Sequence, residues 1–324
     1  MPTCLPRKTV VYIKKRSSQA SVVVVYLATM LICLVIFGFA AVTLLDIFVT
    51  QPALEAEAAE SGTTTDEEET VDYSDATETI LFVGADGQDI NAIVLLRVNP
   101  GEGSIAIVPV SKYTISTVSS TSGTMEYLFE TGGMSYLKTA VENAFELTCD
   151  KYIKITNDGW TELCEYTGGM TSYVFPEDLY YKDEESGDLT SFSAGNSTRT
   201  LWGDDIRRIV TYPLYSNGEQ TRVQVIGEIA VALINDAFDT NSENMLANIQ
   251  NIFNTIYNNS DTDITSKTFA AVRDAYEYML ETASSPATYR MPHGEWNSSG
   301  YFELDEDAAD EIQEYFGLNS VLEE

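Results

Sequence analysis

The sequence has few of the side chains that build metal clusters or activate a nucleophile. Its 324 residues include one histidine and four cysteines, and neither a C-x-x-C nor an H-x-x-x-H spacing occurs. Because zinc sites need several closely spaced ligands of these types, this class of site is excluded. No G-x-S-x-G motif accompanies the single histidine, His293, so a serine–histidine catalytic triad is disfavoured as well.

Basic residues are also scarce. The chain contains 18 lysines and arginines against 50 aspartates and glutamates, and five of the bases lie in the first 20 positions. The remaining 13 bases face 49 acids, since only Asp46 precedes residue 50. Nucleic-acid binding depends on positively charged patches that neutralise phosphates. We therefore expect no nucleic-acid partner.

One long apolar run predicts a membrane anchor. Between residues 20 and 49 the only ionised side chain is Asp46, and a bilayer core about 30 Å thick requires about 20 apolar residues of helix. The sequence thus predicts a transmembrane helix over residues 20–48. Residues 1–19 carry five bases and no acid, which indicates a cytoplasmic tail. We expect a single-pass protein of the cell membrane with an extracellular C-terminal domain; a signal peptide cleaved near residues 56–59 is the alternative.

The segment after the predicted anchor is acidic and has few large apolar residues. Residues 49–78 contain many Asp, Glu, Ser and Thr residues and no Lys or Arg, which is typical of a disordered stalk. Two cysteines, Cys149 and Cys164, fall in the region predicted to lie outside the cell. They form a disulfide there, which an oxidising compartment permits, or they are two buried apolar residues.

From residue 79 onward, apolar runs typical of strands alternate with helical patterns. This order predicts an α/β protein, an αβα sandwich around a central mixed sheet, in one domain over residues 79–318. Residues 180–197 are interpreted as a polar loop, and residues 203–215 as a helix or turn with a strand-like end. Strands are predicted at 80–83, 92–98, 104–108, 152–155, 172–175 and 287–290, and helices at 135–145, 159–166, 219–238, 242–257, 266–282 and 305–316.

The order of these motifs resembles the LytR-CpsA-Psr family of bacterial envelope proteins. The family's opening strand, G-x-D turn and hairpin are similar to ILFVGADGQDINAIVLLRVNP, and its next strand is similar to SIAIVP. Residues 131–179 carry gly-gly, Val-Glu, Asp-x-Tyr and Gly-aromatic landmarks at similar spacing. The closing strand and helix resemble RMPHGEWNSSGYFELDEDAADEIQEYFG. The short tail, single membrane span and external domain also fit the family's layout.

The resemblance implies a function. Members of the family transfer anionic glycopolymers, such as teichoic acids or capsule, from polyprenyl-pyrophosphate carriers to peptidoglycan. In that family two acidic residues hold Mg²⁺, several arginines bind the pyrophosphate, and the lipid tail lies in an apolar tunnel between sheet and helices. Arginine side chains and a divalent cation suit this reaction, because the leaving pyrophosphate accumulates negative charge.

When the positions of the family's acidic site are matched one by one to this sequence, the site is incomplete. Asp86 falls at the first acidic metal ligand, whereas Gln88 stands at an arginine position and Asn91 at the second acidic position. An amide offers a carbonyl oxygen to a cation but no charge, and Asp89 is close enough in sequence to substitute. The resemblance therefore implies Asp86, Asp89 and Asn91 as metal ligands if Mg²⁺ is used.

Most of the family's arginines are absent. Arg222 matches the first of two arginines in a helix, but Val225 stands at the second, and residues 211–213 replace an Arg-x-Arg strand without any arginine. Lys112 and Arg208 lie near the lost positions in sequence. They are our candidates for binding the pyrophosphate beside Arg222.

Asp86 and Arg222 remain as the candidate catalytic residues, and each has a structural alternative. Asp86 follows a glycine at a strand end and is also a suitable turn residue. Arg222 is also placed to pair with Glu219 or Glu228 on one helix face.

The incomplete site leaves three functional hypotheses. The first is a family member that binds polyprenyl-linked glycopolymer, envelope lipid or related family proteins and transfers phosphate weakly or not at all. The second is an active Mg²⁺-dependent phosphotransferase that attaches anionic glycopolymer to peptidoglycan through a rearranged site. The third is a non-catalytic structural or interaction module at the wall, which predicts a filled core.

Overall fold

A computed structural model describes residues 72–182 and 189–318 of the chain. The predicted cytoplasmic tail, the predicted transmembrane helix at 20–48 and most of the predicted stalk lie outside these residues. Among the described residues, no helix combines the length and the apolar character that a membrane crossing requires.

The described residues form a strand-rich first half and a helix-rich second half. The helices are α1 (Met125–Phe145), α2 (Asn157–Thr167), α3 (Gly203–Val210), α4 (Glu219–Asn259), α5 (Ser266–Thr282) and α6 (Ala308–Tyr315). The strands are β1 (Glu78–Asp86), β2 (Asp89–Asn99), β3 (Ser104–Val110), β4 (Ile115–Val118), β5 (Thr121–Thr124), β6 (Lys151–Ile155), β7 (Val174–Phe175), β8 (Leu179–Lys182), β9 (Leu189–Phe192), β10 (Gly195–Asn196), β11 (Ser260–Thr262), β12 (Ala287–Tyr289), β13 (Gly294–Trp296) and β14 (Phe302–Leu304).

Six strands form the central sheet in the order β11-β6-β1-β2-β3-β12. The strands β1, β2 and β3 run antiparallel to their neighbours in sequence, whereas β6 is parallel to β1 and β12 is parallel to β3. Both short turns of this meander contain a glycine with positive φ, Gly87 at 61° and Gly103 at 62°, a conformation that costs glycine little. The predicted central mixed sheet is thus confirmed.

Helices cover both faces of the sheet, as predicted for an αβα sandwich. Because side chains alternate along a strand, β1 and β2 contribute to two separate cores. Leu81 and Leu95 pack in one core with Leu137 and Phe145 of α1, and α6 joins the same core. On the other face, Ile80, Ile107 and Ile153 pack in a core with residues of α4 and α5.

A third core mixes aromatic and aliphatic residues and lies beside the first half of α4. Its buried residues include Tyr173, Phe175, Phe192, Tyr212 and Tyr215. The prediction of a polar loop over residues 180–197 is wrong, because β8 pairs with β9 in a hairpin there. The hairpin strands are short and place few apolar residues inward, so their alternation is a weak sequence signal.

The long helix α4 replaces two predicted helices. Its 41 residues run without a break from Glu219 to Asn259, through a polar stretch that suggested a helix end. The polar residues in that stretch bind other elements instead. Asp239 accepts hydrogen bonds from Ser284 and Ser285 beyond α5, and Asn241 donates to the carbonyl of Tyr166 in the last turn of α2.

Helix α1 begins ten residues earlier than predicted. The hydroxyl of Thr124 accepts a hydrogen bond from the amide of Tyr127 at 3.1 Å and so caps the helix N-terminus. The glycine pair that suggested a helix start is instead a kink, since Gly133 has φ 63° and ψ −153° inside the helix.

Two predicted boundaries also need correction. The fold begins before residue 79, because Ser74–Ala76 forms a turn of 3-10 helix and the ring of Tyr73 lies 5.0 Å from that of Tyr278. The stalk therefore ends earlier than predicted. The expected strand-like end of 203–215 is wrong as well. Its two tyrosines, Tyr212 and Tyr215, are buried edge to face outside any strand.

Cys149 and Cys164 are free, buried thiols, so the alternative without a disulfide is correct. They belong to different cores. Burial raises the pKa of each thiol to about 12, and the nearby Glu142 carboxylate adds to the shift at Cys149. Both cysteines therefore act as apolar core residues at neutral pH.

Candidate ligand site

An apolar cavity of about 280 Å³ lies between the central sheet and helices α2, α3 and α4. We call it the sheet cavity. Small residues on both sides keep it open, including Gly84 and Ala92 of the sheet and Ala230 and Ala237 of α4. Larger apolar side chains form the rest of the wall, among them Phe82, Val94, Leu96, Trp160, Leu163, Ile226, Leu233 and Ile234.

A second cavity of about 250 Å³ adjoins the sheet cavity on the same face of the sheet. The two share Ile105, Phe238 and Met245 in their walls. Helix α5 and the C-terminal half of α4 enclose the second cavity. Apolar space thus extends along this face, between the sheet and its helices, and a lipid tunnel between sheet and helices is what the resemblance implied.

A β-bulge brings polar side chains to the rim of the sheet cavity. The register of β1 and β2 shifts between Gly84, which pairs with Ala92, and Ala85, which pairs with Ile90. Asn91 is the extra residue at this shift and lines the cavity. Bulges often re-aim a side chain beside a functional site.

Two side-chain hydrogen bonds connect the bulge to Asp86, the first candidate catalytic residue. Asn91 donates from Nδ2 to Oδ1 of Asn157 at 3.2 Å, and Asn157 donates from Nδ2 to Oδ2 of Asp86 at 3.2 Å. Asp86 and Asp89 are partners across the hairpin turn, and both are exposed. The three predicted metal ligands therefore lie at one rim, although Asp86 also fits its alternative as a turn residue.

Arg222, the second candidate catalytic residue, is buried in an ion pair. Its guanidinium donates from Nε and Nη2 to the two carboxylate oxygens of Glu219 at 2.5 and 2.6 Å. Its Nη1 donates to the carbonyls of Asn91 and Val210 at 2.8 and 3.1 Å. Four hydrogen bonds thus occupy the guanidinium, and a carboxylate neutralises its charge. The alternative pairing of Arg222 with Glu219 is confirmed.

The two other candidate cations also have partners. Lys112 forms an ion pair with Glu126 at 2.5 Å. Arg208 donates to the hydroxyl of Thr190 at 3.1 Å and lies over the ring of Tyr181, so it contacts the β8–β9 hairpin. The structure therefore brings Asp86, Asn91 and Arg222 together at the rim and places Arg208 against another element.

Sequence reasoning did not identify Asn157. Arg207 lines the sheet cavity and lies 3.5 Å from Asp204. A Cβ atom on Gly227 would lie 2.6 Å from the ring of Tyr289, so no side chain fits at this position. Tyr289 fills the space that a larger residue at this position would need.

Metal binding by protein groups alone is not indicated. In residues 72–182 and 189–318, no group of three or more His, Cys, Asp or Glu side chains is arranged to hold a metal ion.

Comparisons with known proteins agree on one family. Residues 47–316 match the model described as the LytR_cpsA_psr family. Over 125 residues the chain is 27% identical to a polyisoprenyl-teichoic acid–peptidoglycan teichoic acid transferase, TagU, of Halalkalibacterium halodurans. That match covers 34% of this chain and 41% of the relative, so it spans less than half of the relative's length.

Solved structures share the fold. A protein from Eubacterium siraeum superposes with a TM-score of 0.66 at 17% identity, over 80% of this chain and 99% of that one. TagT bound to LI-WTA superposes with a TM-score of 0.54 at 15% identity, over 74% of this chain and 91% of that one.

Proposed function

The chain belongs to the LytR_cpsA_psr family, and from this premise we propose that it binds polyprenyl-(pyro)phosphate-linked glycopolymer with weak or no transferase activity. The TagU relative, a teichoic acid transferase, and the fold shared with TagT bound to LI-WTA support a role with cell-wall glycopolymers. We further propose that residues 20–48 anchor the chain in the membrane and hold its C-terminal domain outside the cell. The membrane, peptidoglycan and related family proteins are its proposed neighbours.

The sheet cavity is the observation that carries this proposal. A polyprenyl chain is a long, branched hydrocarbon, and burying it is favourable in proportion to the apolar area removed from water. The walls of the sheet cavity and the second cavity are almost entirely apolar. The polar rim at Asp86, Asn91 and Arg222 is where the phosphate head of such a lipid would lie.

The charge at the rim supports binding rather than transfer. Stabilising a leaving pyrophosphate requires several cations that point at it. Arg222 and Lys112 are each paired with a glutamate. A phosphate group would have to displace these carboxylates and would also meet the charges of Asp86 and Asp89. We therefore expect a rim that tolerates the head group but stabilises its departure poorly.

Mg²⁺ is compatible with the rim only together with substrate. It commonly binds through one or two carboxylates while phosphate oxygens complete its octahedron. Asp86 and Asp89, exposed and paired across the turn, with Asn91 at the bulge, would be the residues that hold it. When bound, Mg²⁺ would neutralise phosphate charge. This arrangement favours the active transferase as the second candidate function, whereas two open cavities disfavour a purely structural module.

Native mass spectrometry of the full chain, purified in detergent after bacterial expression, tests the proposal. We expect a co-purified polyprenyl species. The variant Ala230→Trp should fill the sheet cavity and reduce lipid occupancy at least tenfold. Its matched control is Ala247→Trp, which places the same side chain on an exposed position of the same helix.

The outcomes separate the hypotheses. Retention of lipid by Ala247→Trp and loss by Ala230→Trp support binding in the sheet cavity. Equal lipid content in both variants, or no polyprenyl species in the unchanged chain, contradicts it.

A further inference from the structure

The second cavity ends in a group of polar side chains that the proposed function does not use. Among the described residues that line this cavity, only Glu78 and Lys151 are charged. The hydroxyl of Tyr276 on α5 donates to Oε2 of Glu78 at 3.0 Å, and the ammonium of Lys151 lies 3.9 Å from Oε1 of the same carboxylate. We call these three side chains the Glu78 cluster.

The Glu78 cluster is largely withdrawn from water and has no net charge. The side chains of Glu78 and Lys151 are 18% and 20% exposed, and their charges cancel. Burial and the neighbouring carboxylate raise the pKa of the Tyr276 hydroxyl, which therefore stays protonated. Among the described residues, the Lys151 ammonium donates one hydrogen bond, to the carbonyl of Asp150 at 3.2 Å. An ammonium has three donors, so it can also donate to a ligand.

Strand alternation turns the Glu78 cluster towards α4. The strands β1 and β6 are parallel neighbours, and Ile80 lies opposite Lys151 in their register. Because side chains alternate along a strand, Glu78 faces the same way as Ile80, and Lys151 faces the same way as Ile153. All four residues line the second cavity. The apolar floor of the cavity therefore stops at two charged residues on adjacent strands.

The apolar space on the α4 side of the sheet thus has two polar ends. Glu78 and Asp86 are the first and last residues of β1, and eight residue steps put them about 26 Å apart. Ile105, Phe238 and Met245 line both cavities and so lie between them.

A lipid with a single head satisfies only one of these ends. With its head at the rim beside Asp86, its hydrocarbon end would lie against the Glu78 cluster. That contact is unfavourable, because polar groups would lose water without gaining a partner. The end at Glu78 therefore suits a second ligand with a polar head of its own.

The size of the second cavity limits the hydrocarbon part of such a ligand. An apolar cavity of about 150 Å³ is enough to hold benzene. A volume of about 250 Å³ therefore suits one hydrocarbon chain rather than two. The wall away from the Glu78 cluster is almost entirely apolar and includes Ile249, Phe253, Phe269 and Met279, which fits an alkyl chain.

The Glu78 cluster favours a neutral head group with hydroxyls. The Glu78 carboxylate accepts from a hydroxyl, and the Lys151 ammonium donates to a hydroxyl or ester oxygen. A carboxylate or phosphate head would be repelled by Glu78, and an amine head by Lys151. A glycerol ester carries free hydroxyls and no charge, so it matches both side chains.

From these observations we propose that the second cavity is a separate lipid site that binds a monoacylglycerol, with the glycerol head at Glu78, Lys151 and Tyr276. This inference goes beyond the proposed function, which needs only the sheet cavity and its rim. Glu78 lies six residues after Asp72, the first described residue. The anchor proposed at residues 20–48 would keep membrane lipids at a high local concentration.

Titration with 1-monolauroylglycerol, followed by native mass spectrometry, tests the proposal. The full chain is kept in a sterol-based detergent, which has no alkyl chain to compete. We expect one saturable site, with laurate and dodecylamine binding at least tenfold more weakly. The variant Val272→Trp should fill the second cavity and weaken binding at least tenfold. Ala271→Trp is its matched control, because Ala271 is exposed on the same helix and lies outside the lining.

Two charge substitutions test the head group. Glu78→Gln leaves the ammonium of Lys151 without a carboxylate, so the affinity for laurate relative to 1-monolauroylglycerol should rise at least tenfold. Lys151→Met should shift the preference towards dodecylamine to a similar extent. Glu277→Gln is the matched control, since Glu277 pairs with Arg273 outside the lining, and it should leave both preferences unchanged.

Thermal melting distinguishes lost binding from lost folding. If Val272→Trp does not fold, the preferences of Glu78→Gln and Lys151→Met decide. Absence of saturable binding overturns the proposal. Equal affinity of Val272→Trp and Ala271→Trp, or charge variants that keep the preferences of the unchanged chain, also overturn it.

Addition of a polyprenyl phosphate to the same samples separates this proposal from the proposed function. We expect a complex that contains one molecule of each lipid, and Ala230→Trp should remove the polyprenyl phosphate but not the 1-monolauroylglycerol. One-for-one displacement of 1-monolauroylglycerol by polyprenyl phosphate would show a single continuous site, which overturns the separate site and leaves the proposed function intact. Binding of 1-monolauroylglycerol without any binding of polyprenyl phosphate supports the separate site and contradicts the proposed function.

Discussion

The two faces of the central sheet are packed in different ways, although neighbouring residues of the same strands build both. Leu81 and Leu95 point towards α1 and are fully buried. Phe82 and Leu96, the next residues along β1 and β2, point towards α4, remain partly exposed and line the sheet cavity. One face is a close-packed core, and the other keeps open apolar space.

This difference agrees with the proposal that the α1 face stabilises the fold while the α4 face is the ligand face. Protein interiors are normally packed as densely as organic crystals. Unfilled cavity volume costs on the order of 24 cal/mol per Å³, so two cavities of about 280 and 250 Å³ are a large expense for a domain to maintain without a ligand. A bound hydrocarbon would offset that cost.

Truncating adjacent leucines should give the largest difference between the faces. Leu95→Ala leaves a void in a close-packed core, and we expect a loss of about 3–5 kcal/mol in the free energy of unfolding. Leu96→Ala only enlarges space that already exists, so we expect a loss of about 1 kcal/mol. Urea denaturation of both variants measures the two values. Equal losses would contradict the division of the sheet into a structural face and a ligand face.

The ion pair at the rim should give the next largest effect. Glu219→Ala leaves the buried guanidinium of Arg222 without its carboxylate, and removing one partner of a buried pair costs about 3 kcal/mol. Removing both charges in Glu219→Leu/Arg222→Met should recover most of this loss, because no uncompensated charge remains. The same denaturation measurement checks the series. A double variant as unstable as the single one would show that Glu219 does more than neutralise Arg222.

The ion pair between Arg199 and Asp205, which low pH weakens, should give the smallest effect. Burial tends to raise the pKa of Asp205, but hydrogen bonds from Arg199 and from the backbone of Trp202 outweigh it, so the folded pKa is lowered. A lowered folded pKa contributes stability that is present above the unfolded value of 3.8 and is lost as the pH falls through the folded pKa.

The substitution Asp205→Asn should therefore reduce stability by about 1 kcal/mol at neutral pH, since half-exposed Arg199 is partly screened by water. The difference in stability between this variant and the unchanged chain should disappear as the pH falls below the unfolded pKa of Asp205. Denaturation midpoints measured across this pH range check the prediction. A difference that stays constant down to the lowest pH would contradict the assignment.

The sequence allowed the prediction of the central sheet, because β1, β2 and β3 are continuous apolar runs separated by glycine-containing turns. It also predicted α5 at its observed bounds. The β8–β9 hairpin was missed, since its pairing depends on burial against Tyr212 and Phe175 rather than on a local pattern. The continuity of α4 was missed because the polar residues Asp239 and Asn241 suggested a helix end. Their side chains instead form hydrogen bonds with residues that lie far away in sequence.

The candidate site was predictable in composition but not in geometry. The resemblance identified Asp86, Asn91 and Arg222, and the i,i+3 spacing indicated Glu219 as a partner of Arg222. The bulge at Asn91 and the link through Asn157 depend on strand register and on the approach of α2, which no single segment encodes. Tyr289 occupies the space beside Gly227 for the same reason.

The measurement that tests the central claim most directly is turnover of bound substrate. The purified full chain is incubated with lipid-linked glycopolymer, Mg²⁺ and a peptidoglycan acceptor, and mass spectrometry follows both the bound lipid and the released carrier. A family member that retains the pyrophosphate-binding arginines serves as the positive control. We predict that the substrate stays bound in the sheet cavity and is released far more slowly than by the control. Release at the control's rate would contradict the claim, as would failure of the substrate to bind.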